Sequence, residues 1–183
     1  GVLGAALTES RPEEALPVLE AYLALIRRYW SHDKGGILDA QTDLANCYDE
    51  LGRHDEALVL KREIYARRVA MAGAADDIVL AGGNLSSALI TAGRFAEAKT
   101  LLRDEMLPMA RQSLGPTHGF CMDIEELLVE ALRTDPDATR DDLREAETIM
   151  QDVLQRRRRV FGPAHPSTCL LYTSDAADEF GCV

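Results

Sequence analysis

Few residues in this sequence have the type and spacing to carry chemistry. His118 and His165 could hold a metal or move a proton. They stand, however, at matching points of two sequence units, Leu114-Gly115-Pro116-Thr117-His118 and Phe161-Gly162-Pro163-Ala164-His165-Pro166, and a turn role accounts for both. His32 and His54 have no Cys or His partner at ligand spacing. Cys47 and Cys121 are lone residues on helices, where cysteine most often fills core space. Four cysteines without paired short spacing make neither a disulfide framework nor a zinc site. Arg156-Arg157-Arg158-Arg159 could meet phosphate, but the run falls in the last turns of a helix, where cations complement the dipole. Arg27-Arg28 and Arg67-Arg68 recur near the same place in earlier units. Asp39, Asp43, Asp49 and Glu50 fall on one side of a helix, as a solvated face or as an acidic wall that attracts a Lys/Arg-containing peptide. There is no glycine-rich phosphate loop and no Gly-x-Ser-x-Gly. The expectation is a chain that binds rather than catalyses, with no catalytic residue, no cofactor and no metal.

The elements that would position these residues repeat. Leu44-Ala45-x-x-Tyr48-x-x-Leu51-Gly52-Arg53-x-x-Glu56-Ala57 returns 41 residues later as Leu85-Ser86-x-x-Leu89-x-x-Ala92-Gly93-Arg94-x-x-Glu97-Ala98. A fixed period of this size signals stacked helix pairs, each unit burying a face that only its neighbour can cover. The predicted repeats are residues 1–36 (truncated at its start), 37–76, 77–118 and 119–168. The first opens with Ser10-Arg11-Pro12-Glu13 as a capped helix start, and the helix that follows carries Ala15, Val18, Leu19, Tyr22, Leu23, Ile26 and Trp30 at helical spacing. It is expected to end at the turn cluster Ser31 to Gly36. The remaining predicted helices cover 37–51, 54–72, 77–92, 95–114, 119–133 and 142–161. Each pair is joined at a turn, Gly52 and Gly93 in the middle repeats. A longer polar linker from Thr134 to Asp142 splits the last pair, with Asp142-x-x-Glu145 as the expected cap. Small residues at 45, 86, 57, 98 and 146 mark where paired helices cross closely. Tyr22, Trp30, Tyr48 and Phe95 are expected in the core.

Bulk properties narrow the function. The chain has 183 residues, 46% hydrophobic and 28% charged, as a soluble folded protein would. No apolar run approaches the roughly 20 residues of a membrane span. A net charge of −11 argues against nucleic acid or an anionic membrane as partner. A reduced, cytoplasmic setting is expected. The chain opens on Gly1, so its natural start is expected further upstream. Residues 169–183 break the repeat. Cys169 to Glu179 resembles the translation of a transposase-type sequencing adapter, and a non-native tail is expected there, with the natural protein continuing past Thr168. Without Asp175, Asp178 and Glu179 the net charge is −8.

The anchor positions are those of tetratricopeptide repeats. The 42-residue period, Gly93-Arg94-Phe95-Ala96-Glu97-Ala98, and the Gly-Pro-x-His turns at 115–118 and 162–165 resemble the kinesin light chain type of that repeat. The resemblance covers residues 1–168. It implies an all-α solenoid of antiparallel helix pairs wound as a right-handed superhelix. It also implies a scaffold or adaptor that holds a protein or peptide segment, basic segments among the candidates, in a concave groove lined by the first helix of each pair (helix A). In the second repeat the matching groove positions are Asp39, Thr42, Asp43, Asn46, Asp49 and Glu50. In the third they are Leu80, Gly83, Asn84, Ser87, Ile90 and Thr91. In the fourth, Glu125, Glu126, Val129 and Arg133 are candidates. Thr42 and Asp43 replace the asparagine pair common in that family, while Asn84 retains one member. Such arrays also occur fused to signalling ATPases, so the alternative is a regulatory array serving an absent catalytic or nucleotide-binding module. Oligomeric state is not legible.

Overall fold

The computed structural model describes residues 11–162. Two compact units divide the chain, Gly1–Arg94 and Phe95–Val183. The N-terminal unit holds α1 (Pro12–Tyr29), α2 (Lys34–Glu50), α3 (His54–Ala70) and α4 (Ala75–Thr91). Each packs on the next. The C-terminal unit holds α5 (Phe95–Thr100), a π-helical segment (Leu101–Met106), α6 (Leu107–Ser113), α7 (Gly119–Thr134) and α8 (Arg140–Phe161). There α7 packs against α5, the π segment, α6 and α8. Among the described residues every regular element is helical.

The helix ends follow from local chemistry. After α2 the chain reverses with Gly52 at φ +72°, Arg53 N–H donating to Tyr48 O at 2.8 Å and Gly52 N–H to Asp49 O at 2.9 Å. This is the left-handed glycine termination that satisfies two orphan carbonyls. Gly93 (φ +70°) repeats it with Arg94 N–H on Leu89 O. At the end of α3 the same pattern falls one residue earlier than the glycine: Ala72 takes φ +47° and Gly73 donates to Arg68 O. Several expected boundaries shift. Gly35 and Gly36 lie inside the first turn of α2 rather than in a turn cluster, because the Asp33 carboxylate caps Gly36 N–H at 2.9 Å. The helix α8 starts at Arg140, two residues before the expected cap. Thr139 is the N-cap and Asp142 the third helical residue of a capping box. The Ser10 cap lies outside the described residues; Arg11 occupies the N-cap position of α1 without a side-chain bond.

The expected continuous helix over 95–114 is interrupted. Leu107 N–H reaches back to Leu102 O, an i→i−5 bond. Pro108 explains this, since it has no N–H to donate and its ring collides with the carbonyl four residues back. Widening the preceding turn relieves the collision.

Packing is densest where the sequence places small residues. Ala45, Ala57, Ser86, Ala98 and Ala146 are all at most 1% exposed. Ala15, Leu19, Leu23 and Ile26 of α1 pack on Ala40, Leu44 and Cys47 of α2. Leu38 and Ala45 of α2 pack with Ile64 of α3 and Ala81 of α4. Burying each large aliphatic side chain contributes about 1.5–3 kcal/mol. Two expected core aromatics are not in the core: Tyr22 and Trp30 are 53% and 51% exposed. The apolar stripe of α1 is wider than its contact with α2, so Val18, Tyr22, Leu25 and Tyr29 form a solvent-facing row. Tyr48 is half-buried, with the Arg53 guanidinium 4.4 Å over its ring.

Candidate functional site

A groove of about 210 Å³ opens in the N-terminal unit between α2, α3 and α4. Asp39, Thr42 and Asp43 line it from one face of α2, at the i, i+3, i+4 spacing of a helix surface. Asp77, Leu80, Ala81 and Asn84 line it from α4, and Ile64 and Arg68, one turn apart, from α3. Five of the twelve groove positions predicted in the second and third repeats therefore meet here: Asp39, Thr42, Asp43, Leu80 and Asn84. The Thr42 hydroxyl donates to Leu38 O at 2.9 Å and is tied to its own helix.

The other seven do not line this groove. Asp49 points to α3 instead, where its carboxylate takes the buried Lys61 ammonium and lies 3.3 Å from His54 Nδ1. Asn46, Glu50, Ser87 and Thr91 are exposed on α2 and α4 outside it, Thr91 donating to Ser87 O. Gly83 and Ile90 are buried. In the C-terminal unit Glu125 is 1% exposed and Val129 is 2% exposed, so both belong to the interior rather than to a binding wall. The Glu125 carboxylate is held by Arg111 at 2.8 Å and by Arg156. Glu126 pairs with Arg157 at 2.7 Å. Burial pushes the Glu126 carboxyl up from its ordinary value, opposed by the Arg157 charge.

Arg68 and Asp77 are groove residues that sequence reasoning did not select. Arg68 bonds Asp39 of α2 and Asp77 of α4, the latter at 3.2 Å. Asp77 stands in the first turn of α4, where the helix dipole favours a carboxylate. A second-helix residue reaches the A-helix side because Ile64 and Arg68 lie under the gap between α2 and α4. The groove thus carries three carboxylates, Asp39, Asp43 and Asp77, against one guanidinium, beside the half-exposed Leu80. That arrangement attracts a cation and offers one apolar contact, but it contains no nucleophile and base within reach of one another.

The remaining candidates resolve into structure. His118 caps α7, its Nδ1 accepting Phe120 N–H at 3.2 Å; His165 lies outside the described residues. Cys47 and Cys121 are fully buried, and burial raises both thiols above their ordinary range. Cys47 Sγ donates to Pro12 O at 3.3 Å. Two of the four consecutive arginines turn inward: Arg156 to Glu125, and Arg157 to Asp123 and Glu126. A second, wider groove of about 640 Å³ lies in the C-terminal unit beside the π segment. Its two arginines, Arg103 and Arg111, are held by Glu145 and Glu125. Among the described residues no group of three His, Cys, Asp or Glu could hold a metal ion, and no helix is long and apolar enough to cross a membrane.

Comparison with known proteins agrees with this architecture. The tetratricopeptide repeat family profile matches residues 138–167. No curated protein matches the sequence. Among solved structures, the nearly identical TPR-like repeats of a kinesin light chain candidate from Podosopora anserina superpose with a TM-score of 0.74 at 19% identity. That match covers 92% of this chain and 78% of the other. A variant of the same protein gives 0.76 over the same shares. BtubC (BKLC) from P. vanneervenii gives 0.72 at 17% identity, covering 89% of this chain and 63% of that one. Likeness at such identity establishes the fold: an all-α tetratricopeptide-repeat solenoid like that of kinesin-light-chain-type repeats.

Proposed function

We propose that this chain, built on the tetratricopeptide-repeat fold, is a protein-interaction scaffold that holds a segment of a partner protein in the groove between α2, α3 and α4. Repeat folds of this kind typically serve as interaction scaffolds and not as catalysts. The observation that carries the reading is the groove's lining: Asp39, Thr42, Asp43, Leu80 and Asn84 converge on it from two successive A helices. Three aspartates against Arg68 favour a segment that brings a positive charge, since complementary potential guides both encounter and register. The cytoplasm is the expected setting, where buried thiols such as Cys47 and Cys121 stay reduced.

The test uses an immobilised library of synthetic octapeptides probed with the 183-residue chain. Wild type should retain a defined subset. Asp43→Lys combined with Asn84→Ala, which reverses one charge and removes one amide in the groove, should lose that subset while its helical content is unchanged. Retention of the same peptides by the double variant would place binding elsewhere.

A further inference from the structure

The charged part of the groove is occupied by a residue of the chain itself. Arg68 rises from α3 and bonds carboxylates from two different helices, Asp39 and Asp77. Its side chain is 14% exposed, whereas those of Asp39 and Asp77 are 64% and 48% exposed. An ion pair whose anions face water this openly is screened and weakly held.

Packing does not require this arginine. In the 41–42-residue register, Arg68 aligns with Ile26 in the preceding repeat, and, because the π turn adds one residue, with the buried Ala110 in the following one. Ile26 is buried against α2. The fold therefore accepts an aliphatic side chain at this position. The matching helix-A position changes in concert: Asp39 accompanies Arg68, and Leu80 accompanies Ala110. Charge enters on both members or on neither. The fourth repeat carries the charged version as Arg157 with Asp123 at 2.8 Å, and there Arg157 is enclosed by Asp123 and Glu126 of a single helix. In the second repeat the aspartates instead come from two helices and border the exposed Leu80.

We propose that Arg68 is a stand-in for a partner's basic side chain. The groove takes an extended segment that places an arginine or lysine between Asp39 and Asp77. An adjacent apolar side chain of the segment rests on Leu80, Ala81 and Ile64, and Arg68 swings aside. Exchanging one guanidinium for another preserves the charge-assisted hydrogen bonds at both carboxylates, so displacement loses no class of contact. Arg68 thereby sets a threshold, because a segment without a cation leaves the internal pair in place. This inference rests on the groove being the binding site.

The octapeptide library, synthesised in positional-scanning form, tests it. Arginine or lysine should be selected at one position, with leucine, isoleucine or methionine within two residues of it. A selected peptide, fluorescently labelled, is then titrated by anisotropy. Arg68→Met, which keeps an unbranched apolar side chain and deletes the guanidinium, should bind about threefold to tenfold more tightly because the internal competitor is gone. Asp39→Asn with Asp77→Asn should bind at least about tenfold more weakly. Thermal melts of all variants, read alongside, separate binding from unfolding. Selection of acidic peptides, or weaker binding by a folded Arg68→Met, overturns the stand-in role. If weaker binding by Arg68→Met accompanies loss on Asp43→Lys/Asn84→Ala, the groove reading survives and only this inference fails. A library that yields no binder overturns both.

Discussion

Glu125 sits in the interior of the C-terminal unit, and its surroundings make a quantitative prediction. The carboxylate is 1% exposed and held from two sides, by Arg111 of α6 at 2.8 Å and by Arg156 of α8. Arg156 is itself only 12% exposed and also donates to Pro116 O. Arg156→Met keeps the aliphatic stem and deletes the guanidinium. Removing one partner from a fully buried ion pair costs about 3–5 kcal/mol, because the remaining charge is stranded. Arg111 still holds one oxygen but is 55% exposed, so the loss should fall at the low end, about 3 kcal/mol. The companion variant, Arg156→Met with Glu125→Leu, removes the stranded charge. It should return to within about 1 kcal/mol of wild type, since apolar groups of similar volume replace buried pairs at little cost. Urea unfolding followed by far-UV circular dichroism reads both, and an unchanged m-value confirms that the same surface is exposed on unfolding. A single variant that loses less than about 1 kcal/mol, or a double variant less stable than the single, would refute the argument that Glu125 depends on its charge partners.

Three further outcomes follow from named groups. Ala72→Gly should stabilise the chain by about 0.5–1 kcal/mol in the same urea assay, because the left-handed φ of +47° penalises a side chain more than the extra backbone freedom of glycine costs; a loss of stability would contradict this. Gln41 is fully buried with neither amide atom hydrogen-bonded, so Gln41→Met should gain about 1 kcal/mol, and a loss would show that the amide has a partner. Acid should unfold the C-terminal unit through Asp135 and Asp142. A hydrogen bond from Lys99, then one from Asp137 N–H, holds Asp135 low, and bonds from the Thr139 hydroxyl and backbone hold Asp142 low. Depressed carboxyls stabilise above their unfolded value of about 3.9, and that stability disappears as pH falls through the lower folded values. Glu126, raised by burial, acts in the opposite sense: protonating it as pH falls through its raised value favours the folded state. Melting temperature against pH from 7 to 3 should therefore show a steep loss only below about pH 4, and Lys99→Met should flatten that acid limb. Parallel profiles for variant and wild type would count against the Lys99–Asp135 contribution.

The places where the structure departs from the sequence reading have specific causes. The π segment was hidden because Leu101, Leu102 and Met106 keep a helical apolar rhythm across the widened turn, and Pro108 alone marks it. Thr139 and Asp142 form the same box that was read three residues later, since Asp142-x-x-Glu145 offers an equally good local pattern. Tyr22 and Trp30 satisfy the periodicity of α1, but periodicity does not say how wide a face a neighbour covers.

The sequence by itself determined the helix pairs, their close crossings at Ala45, Ala57, Ser86, Ala98 and Ala146, and the left-handed ends at Gly52 and Gly93. These depend on spacing and backbone sterics, which a repeating pattern records directly. It also located the groove's two walls, because residues three and four apart on α2 and α4 necessarily share a face. Only the tertiary structure decided which partner each charged side chain meets. Asp49 turns to Lys61, Glu125 goes under Arg111 and Arg156, and Arg68 enters the groove from a helix not expected to line it. A charged side chain's partner is set by the neighbouring helix beneath it, across sequence separations of 12 to 31 residues, and no local pattern encodes that choice.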